Sequence, residues 1–203
     1  MGVYSRHLRP RLHDRLLSDT ATSDVREQVC AGLTGDVLEI GFGSGLNLAH
    51  LPPAVTGIWA VEPSATAVRL SAPRRDASPV PVEVAGDDAQ ALPFPDHRFD
   101  AALCTWVLCS VPDRRRALAE VARVLRPDGR LHFVEHGLAP DPQVVRWQRR
   151  ANPLSRALSG CELDVDVAGL LAVSPLTVTE LTSWYLPGAP RSTGYLSAGR
   201  ATA

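Results

Sequence analysis

The stretch that most limits what this chain can fold into is DVLEIGFGSG, residues 36–45, where a short apolar run breaks into glycines at positions 41, 43 and 45. Such a run reads as a buried strand, and the glycines that follow let the backbone take dihedrals and close approaches that a Cβ forbids. In an open α/β sheet the first strand-to-helix turn lies where the strand order reverses, and ligands bind there against the strand ends and the next helix. The spacing is E-x-G-x-G-x-G. A dinucleotide loop, G-x-G-x-x-G/A, would want a small residue where Leu46 stands. With Glu39 two residues ahead of Gly41, the loop of Gly41, Gly43 and Gly45 suits a ligand that brings no pyrophosphate but carries a cationic amino group and a sulfonium. Asn47, just past the glycines, joins that set.

The rest of the chain continues the rhythm that this turn starts. Apolar runs at Val37–Ile40, Gly57–Val61, Val80–Val84, Ala101–Thr105 and Leu131–Glu135 are separated by helical spacing or turn signals, which predicts an α/β fold with a mostly parallel sheet and helices on both faces. The clearest helix is Arg114–Leu125, with Ala117, Leu118, Val121 and Val124 at three- and four-residue steps. Arg114-Arg115-Arg116 reads as its solvated first turn, and Arg126-Pro127-Asp128-Gly129 stops it. Two β-rich segments, LTVTELTSWYL and STGYLSAGRA, flank PGAPR and read as an antiparallel pair closing one sheet edge. At 203 residues the expectation is one domain, with 1–35 as an N-terminal helical cap and 36–203 as the ligand-binding core.

Composition removes several functions. All 21 basic residues are arginine, so chemistry built on a lysine amine is excluded. The net charge is −1 and the arginines are scattered along the sequence in twos and threes, without the stripe expected of a nucleic-acid or membrane-surface binder. The four cysteines form neither a C-x-x-C pair nor a zinc spacing and read as free thiols of a reducing compartment. No apolar run approaches the roughly 20 residues of a membrane span. The expectation is a soluble cytoplasmic protein with a small-molecule partner, no nucleic-acid partner and no stable membrane insertion.

Two further acids complete the ligand. Glu62 ends GIWAVEPS, 21 residues past Gly41, where a carboxylate at the tip of the second strand can accept both hydroxyls of a ribose. Pro63 follows it. Asp88 and Ala89 come after the third strand, where an acid can bond an exocyclic adenine amine and a small neighbour leaves room for the ring; Cys104 and Thr105 close the fourth strand beside them. The ligand described is adenosine joined to an amino acid, S-adenosylmethionine.

VLEIGFGSG, VEPS, GDDAQALPFPDHRFD and RVLRPDGRLHFVEH resemble, in order and separation, the motifs of the class I S-adenosylmethionine-dependent methyltransferases, from about Asp36 to Gly199. The resemblance implies a Rossmann-like seven-stranded sheet ending in an antiparallel hairpin. Within the family, CTWVLCSV, FVEHG, the Gly160-Cys161 pair and GYLSAG look like a bacterial branch similar to the animal methyltransferase-like proteins that methylate thiols.

Methyl transfer is an in-line displacement at an activated carbon, so a protein chiefly supplies alignment and a dry pocket. His136 is the candidate for orienting or deprotonating the acceptor, or else a histidine packed at a strand end. Tyr4, Trp106, Trp147, Cys161 and Tyr195 are the candidate acceptor-side residues, each also readable as core or pocket wall. His132 and His136 lie on a strand with no need to converge, and no metal is expected. Base and amide methylation want an Asn/Asp-Pro-Pro-aromatic loop where Cys104-Thr105-Trp106-Val107 stands, and metal-dependent catechol methylation wants acids there. A small-molecule methyltransferase acting without metal, with an apolar thiol as one acceptor, is therefore expected. A small amine, phenol or lipid headgroup, or a non-catalytic S-adenosylmethionine-binding subunit, are the alternatives.

Overall fold

The structure, a computed structural model, describes residues 8–203. Tyr4 lies outside them. Seven strands form one sheet: β1 Gly35–Ile40, β2 Val55–Val61, β3 Val82–Gly86, β4 Phe99–Thr105, β5 Leu125–His136, β6 Thr177–Tyr185 and β7 Tyr195–Thr202. Their order is β3-β2-β1-β4-β5-β7-β6. The pairs β1 with β2 and β4, β2 with β3, and β4 with β5 are parallel; β7 runs antiparallel to β5 and to β6. The helices are α1 Arg9–Leu16, α2 Thr20–Cys30, α3 Ala65–Leu70, α4 Ala72–Asp76, α5 Arg114–Val124, α6 Pro142–Leu158 and α7 Val167–Ala172.

Alternation along the strands builds two cores, one on each sheet face. Leu38, Ile40, Ala102, Cys104, Leu131 and Phe133 pack with α5 and α7 residues such as Leu118, Val121 and Leu171. Val37, Ala101, Leu103 and Val134 turn the other way, onto Val25, Val29 and Cys30 of α2. Helices therefore cover both faces as expected. The same period places Glu39, between Leu38 and Ile40, on the α2 side.

Three local expectations shift. β3 starts at Val82, two residues later than the apolar run, because Pro81 has no N–H to give; its carbonyl still accepts from Ile58 N at 2.9 Å. α5 ends at Val124, and Leu125 is already extended, fully buried and paired with Phe99. After the glycines there is no α-helix but a 3-10 turn, Leu46–His50, cut short by Leu51-Pro52-Pro53, since a residue before proline is pushed out of the helical region.

Candidate functional site

Strand order reverses between β1 and β4, and the carboxyl ends of β1, β2 and β4 meet there. Ile40 is in register with Val61 and with Cys104, so the glycine loop, Glu62 and Thr105 emerge side by side. Gly41, Gly43 and Gly45 all have positive φ, at 67°, 59° and 78°. Their surroundings differ. A Cβ at Gly41 would overlap the Val107 side chain, and one at Gly45 would press Phe42 Cζ at 3.0 Å, whereas one at Gly43 meets nothing nearer than Gly41 O at 3.8 Å. Gly41 and Gly45 are required by the fold, and Gly43 borders open space.

Glu62 ties this loop to β2. Its Oε2 accepts from Gly43 N at 2.8 Å and its Oε1 from Ser64 N at 2.8 Å. Each oxygen keeps a lone pair for another donor. Burial raises the Glu62 carboxyl above its ordinary value, against the pull of those two N–H groups.

Behind the loop lies a buried polar cluster. Glu39, 1% exposed, accepts from Asn47 Nδ2 at 2.8 Å; Asn47 Nδ2 also donates to Thr105 Oγ1 at 3.0 Å, and Asn47 Oδ1 accepts from Arg26 Nη1 at 2.6 Å. The Arg26 guanidinium stands 4.7 Å over the Trp106 ring. Burial lifts the Glu39 carboxyl to about 7 even though Asn47 and Arg26 favour its charge. Burial likewise lowers Arg26 to about 10. Glu39 Oε2 and Arg26 Nε are both buried without a hydrogen-bond partner. A buried carboxylate oxygen left without a donor is costly, and a cationic group bound there would remove that cost.

The turn after β4 is held from below. Glu135, fully buried on β5, accepts from Val107 N at 2.8 Å, Leu108 N at 2.9 Å, Cys109 N at 3.4 Å and Cys104 Sγ at 3.3 Å. Burial pushes its carboxyl up to about 7 against these donors. Trp106 enters that turn at φ 55°, a left-handed conformation that bulky residues seldom adopt, while its N–H reaches Val134 O at 2.8 Å. Arg114 clamps the far side: Nε donates to Leu108 O at 2.6 Å and Nη2 to Glu162 at 2.7 Å, so the first arginine of its run is anchored rather than solvated.

Beyond this turn stand Trp106, His136 and Tyr195, with Cys161 next to Cys109 at its end. Trp106 and His136 rings lie 6.5 Å apart, and Tyr195 packs on Tyr185 at 4.9 Å next to Gly137, whose N–H bonds Tyr195 O at 2.9 Å. Cys161 lies against the Cys109 thiol, whose hydrogen bond lowers the Cys161 pKa. Burial drags His136 down to about 4, so its imidazole is neutral near pH 7, and its Nδ1 is buried without a partner. His132 instead bonds Val29 O at 2.8 Å, on the α2 side. Trp147 is not brought to this group: it is 63% exposed on the outside of α6. Pro63 is exposed, and Asp88 is exposed with its carboxylate engaged by Gln90 N at 2.8 Å and Gln90 Nε2 at 2.9 Å, bonds that lower its pKa. Ala89 packs on the core nearby. Arg26 and Glu135 were not among the residues expected from sequence. An acid inside the apolar run HFVEH was the available signal for Glu135; nothing local marked Arg26.

A profile of the methyltransferase-domain family matches residues 38–133, spanning β1 to β5. A thiol S-methyltransferase of Rattus norvegicus is 35% identical over 134 residues, 63% of this chain and 54% of that protein. From β1 to β5 the chain is similar to the class I S-adenosylmethionine-dependent methyltransferases. An uncharacterised methyltransferase of Bacillus subtilis is 29% identical over 153 residues, 74% of this chain and 60% of the relative. The chain thus spans little more than half the length of these curated relatives. In fold it is similar to the N-methyltransferase NodS of Bradyrhizobium japonicum in complex with S-adenosyl-L-homocysteine, with a TM-score of 0.68 at 16% identity over 93% of this chain and 90% of that one. The seven strands, mostly parallel with a C-terminal antiparallel hairpin, are those expected from the sequence. Among the described residues no helix is long and apolar enough to cross a membrane.

Proposed function

We propose that the protein binds S-adenosylmethionine at the β1 and β2 ends and transfers its methyl group to a small apolar acceptor presenting a thiol. The observation that carries the cofactor half is the buried, partnerless Glu39 Oε2 behind a glycine loop whose Gly43 borders open space. That cradle fits a ligand with an ammonium group, and a Cβ at Gly43 would intrude on it. Glu39 and Asn47 would hold the amino-acid end, Glu62 the ribose, and Asp88 with Ala89 the adenine. Arg26, with its free Nε, adds a positive charge beside Glu39, suited to a carboxylate. When bound, the cofactor supplies a methyl group already activated on a sulfonium.

The residues of this chain then have to orient the acceptor and keep water out. Trp106, His136 and Tyr195, with Cys161 beside Cys109 at the end of the same turn, are the residues assigned this role. A neutral His136 with a pKa of about 4 accepts a hydrogen bond but is a poor base for an amine or a phenol of pKa about 10. A thiol, with a pKa of about 8.5, already provides a few per cent of thiolate near neutrality and needs orientation more than deprotonation. Similarity to the rat thiol S-methyltransferase supports the same acceptor. Incubation of chelator-treated protein with methyl-labelled S-adenosylmethionine and a panel of thiols, amines, phenols and acids tests the proposal. Label should pass to alkyl or aryl thiols; transfer confined to the other classes contradicts the acceptor, and no cofactor binding contradicts the whole.

A further inference from the structure

Four of the 21 arginines that look scattered in the sequence lie on one helix. α6, Pro142–Leu158, carries Arg146, Arg149, Arg150 and Arg156 and not one acid, in a protein whose net charge is −1. Its buried side is Val144, Gln148 and Asn152. Trp147, Leu154 and Leu158 are 63%, 63% and 47% exposed. They are seven and eleven residues from the first to the others, so at 100° per residue they return to within about 20° of one stripe. The arginines divide by position. Arg149 and Arg156 pair with Asp164 and Glu162. Arg146 and Arg150 are exposed and have no ion pair among the described residues, and the Arg150 guanidinium stands 5.8 Å over the Trp147 ring.

The stripe does not end with α6. α1 lies against the residues that follow it, with Arg9 at Gly160 and His13 at Ser159. Leu12 of α1 and Leu8 just before it, 41% and 54% exposed and four residues apart, lie beside the C-terminal end of α6. Large apolar side chains left in water, with a tryptophan under an arginine and uncompensated guanidinium groups at their margin, form the pattern of a helix that lies in a bilayer interface. The aromatic ring suits the headgroup level, and the free arginines suit a negative surface. A nucleic acid would meet the same charge but leave the leucines uncovered.

We infer that the outer face of α6, extended by α1, docks this protein on anionic lipid bilayers by peripheral adsorption. The arrangement is independent of the acceptor assigned above, and its test needs no turnover. Purified protein is sedimented with vesicles of phosphatidylcholine alone and of phosphatidylcholine with phosphatidylglycerol. It should bind the anionic vesicles, more weakly as salt rises, and bind the neutral ones poorly. Arg146→Glu with Arg150→Glu, and separately Trp147→Ser with Leu154→Ser, should each reduce binding about tenfold or more while thermal melting stays close to that of the wild type, since all four side chains are outside the core. Absence of binding by the wild type, or binding unchanged in both double variants, overturns the inference. So does self-association through Trp147, seen by sedimentation without vesicles, if it replaces lipid binding.

Discussion

Glu62 Oε2 accepts a hydrogen bond from Gly43 N at 2.8 Å, which fastens the tip of β2 to the one loop glycine that borders open space. One carboxylate thus fixes the loop backbone and keeps lone pairs for a ligand. Replacing Glu62 by Ala removes the loop anchor together with two charge-assisted bonds to a ribose, each worth roughly 1.5–3 kcal/mol. Calorimetry with S-adenosylhomocysteine should show affinity weakened by about tenfold or more. Unchanged affinity in a folded variant would remove Glu62 from the site.

Two glycine substitutions separate binding from folding. Gly43→Val places its side chain in open space at φ 59°, at a backbone cost of order 1–3 kcal/mol, so it should fold with a lowered melting temperature and lose S-adenosylhomocysteine binding. Gly41→Ala drives a methyl group into Val107 and should chiefly lower stability. Retained binding in folded Gly43→Val contradicts the cradle.

Glu39 gives the site a pH signature. Burial raises its carboxyl from 4.5 to about 7, so the stability of the folded state is fully expressed below about 4.5 and declines as pH rises through about 7. The difference amounts to about 3 kcal/mol at most. Glu39→Gln should therefore gain stability relative to wild type between about pH 5 and 8, measured by urea unfolding without ligand. A difference that does not vary with pH would show that Glu39 titrates normally.

Glu135 should be the costliest acid to remove. Glu135→Ala strands the N–H groups of Val107, Leu108 and Cys109 in the interior, at roughly 1–3 kcal/mol each. The expected loss is about 3 kcal/mol or more, a fall of about 6–12 °C in Tm by circular dichroism. Glu135→Gln keeps an acceptor oxygen and should lose less. An Ala variant that melts with the wild type contradicts the role of this carboxylate in holding the turn.

The residues legible in the sequence are those whose meaning is local. Glu39, the three glycines and Glu62 stand at fixed steps from strands that periodicity reveals, and the sheet follows from the same alternation. Arg26 and Glu135 are legible only in three dimensions, because Arg26 meets Thr105 79 positions away and Glu135 meets Val107 across 28. A charge inside an apolar run announces a partner without saying which. Trp147 shows the opposite failure: a large aromatic reads as core or cavity wall, and only the phase of α6, set by Val144, Gln148 and Asn152, turns it outward.

The most direct measurement is the pH dependence of methyl transfer by chelator-treated enzyme to two thiols of different acidity. With His136 neutral across the range, rates should rise with pH and level off near the pKa of each thiol, the more acidic one first. One midpoint shared by both thiols would assign the titration to a protein base, and activity found only with phenols or amines, or lost with the chelator, would contradict metal-independent transfer to a thiol.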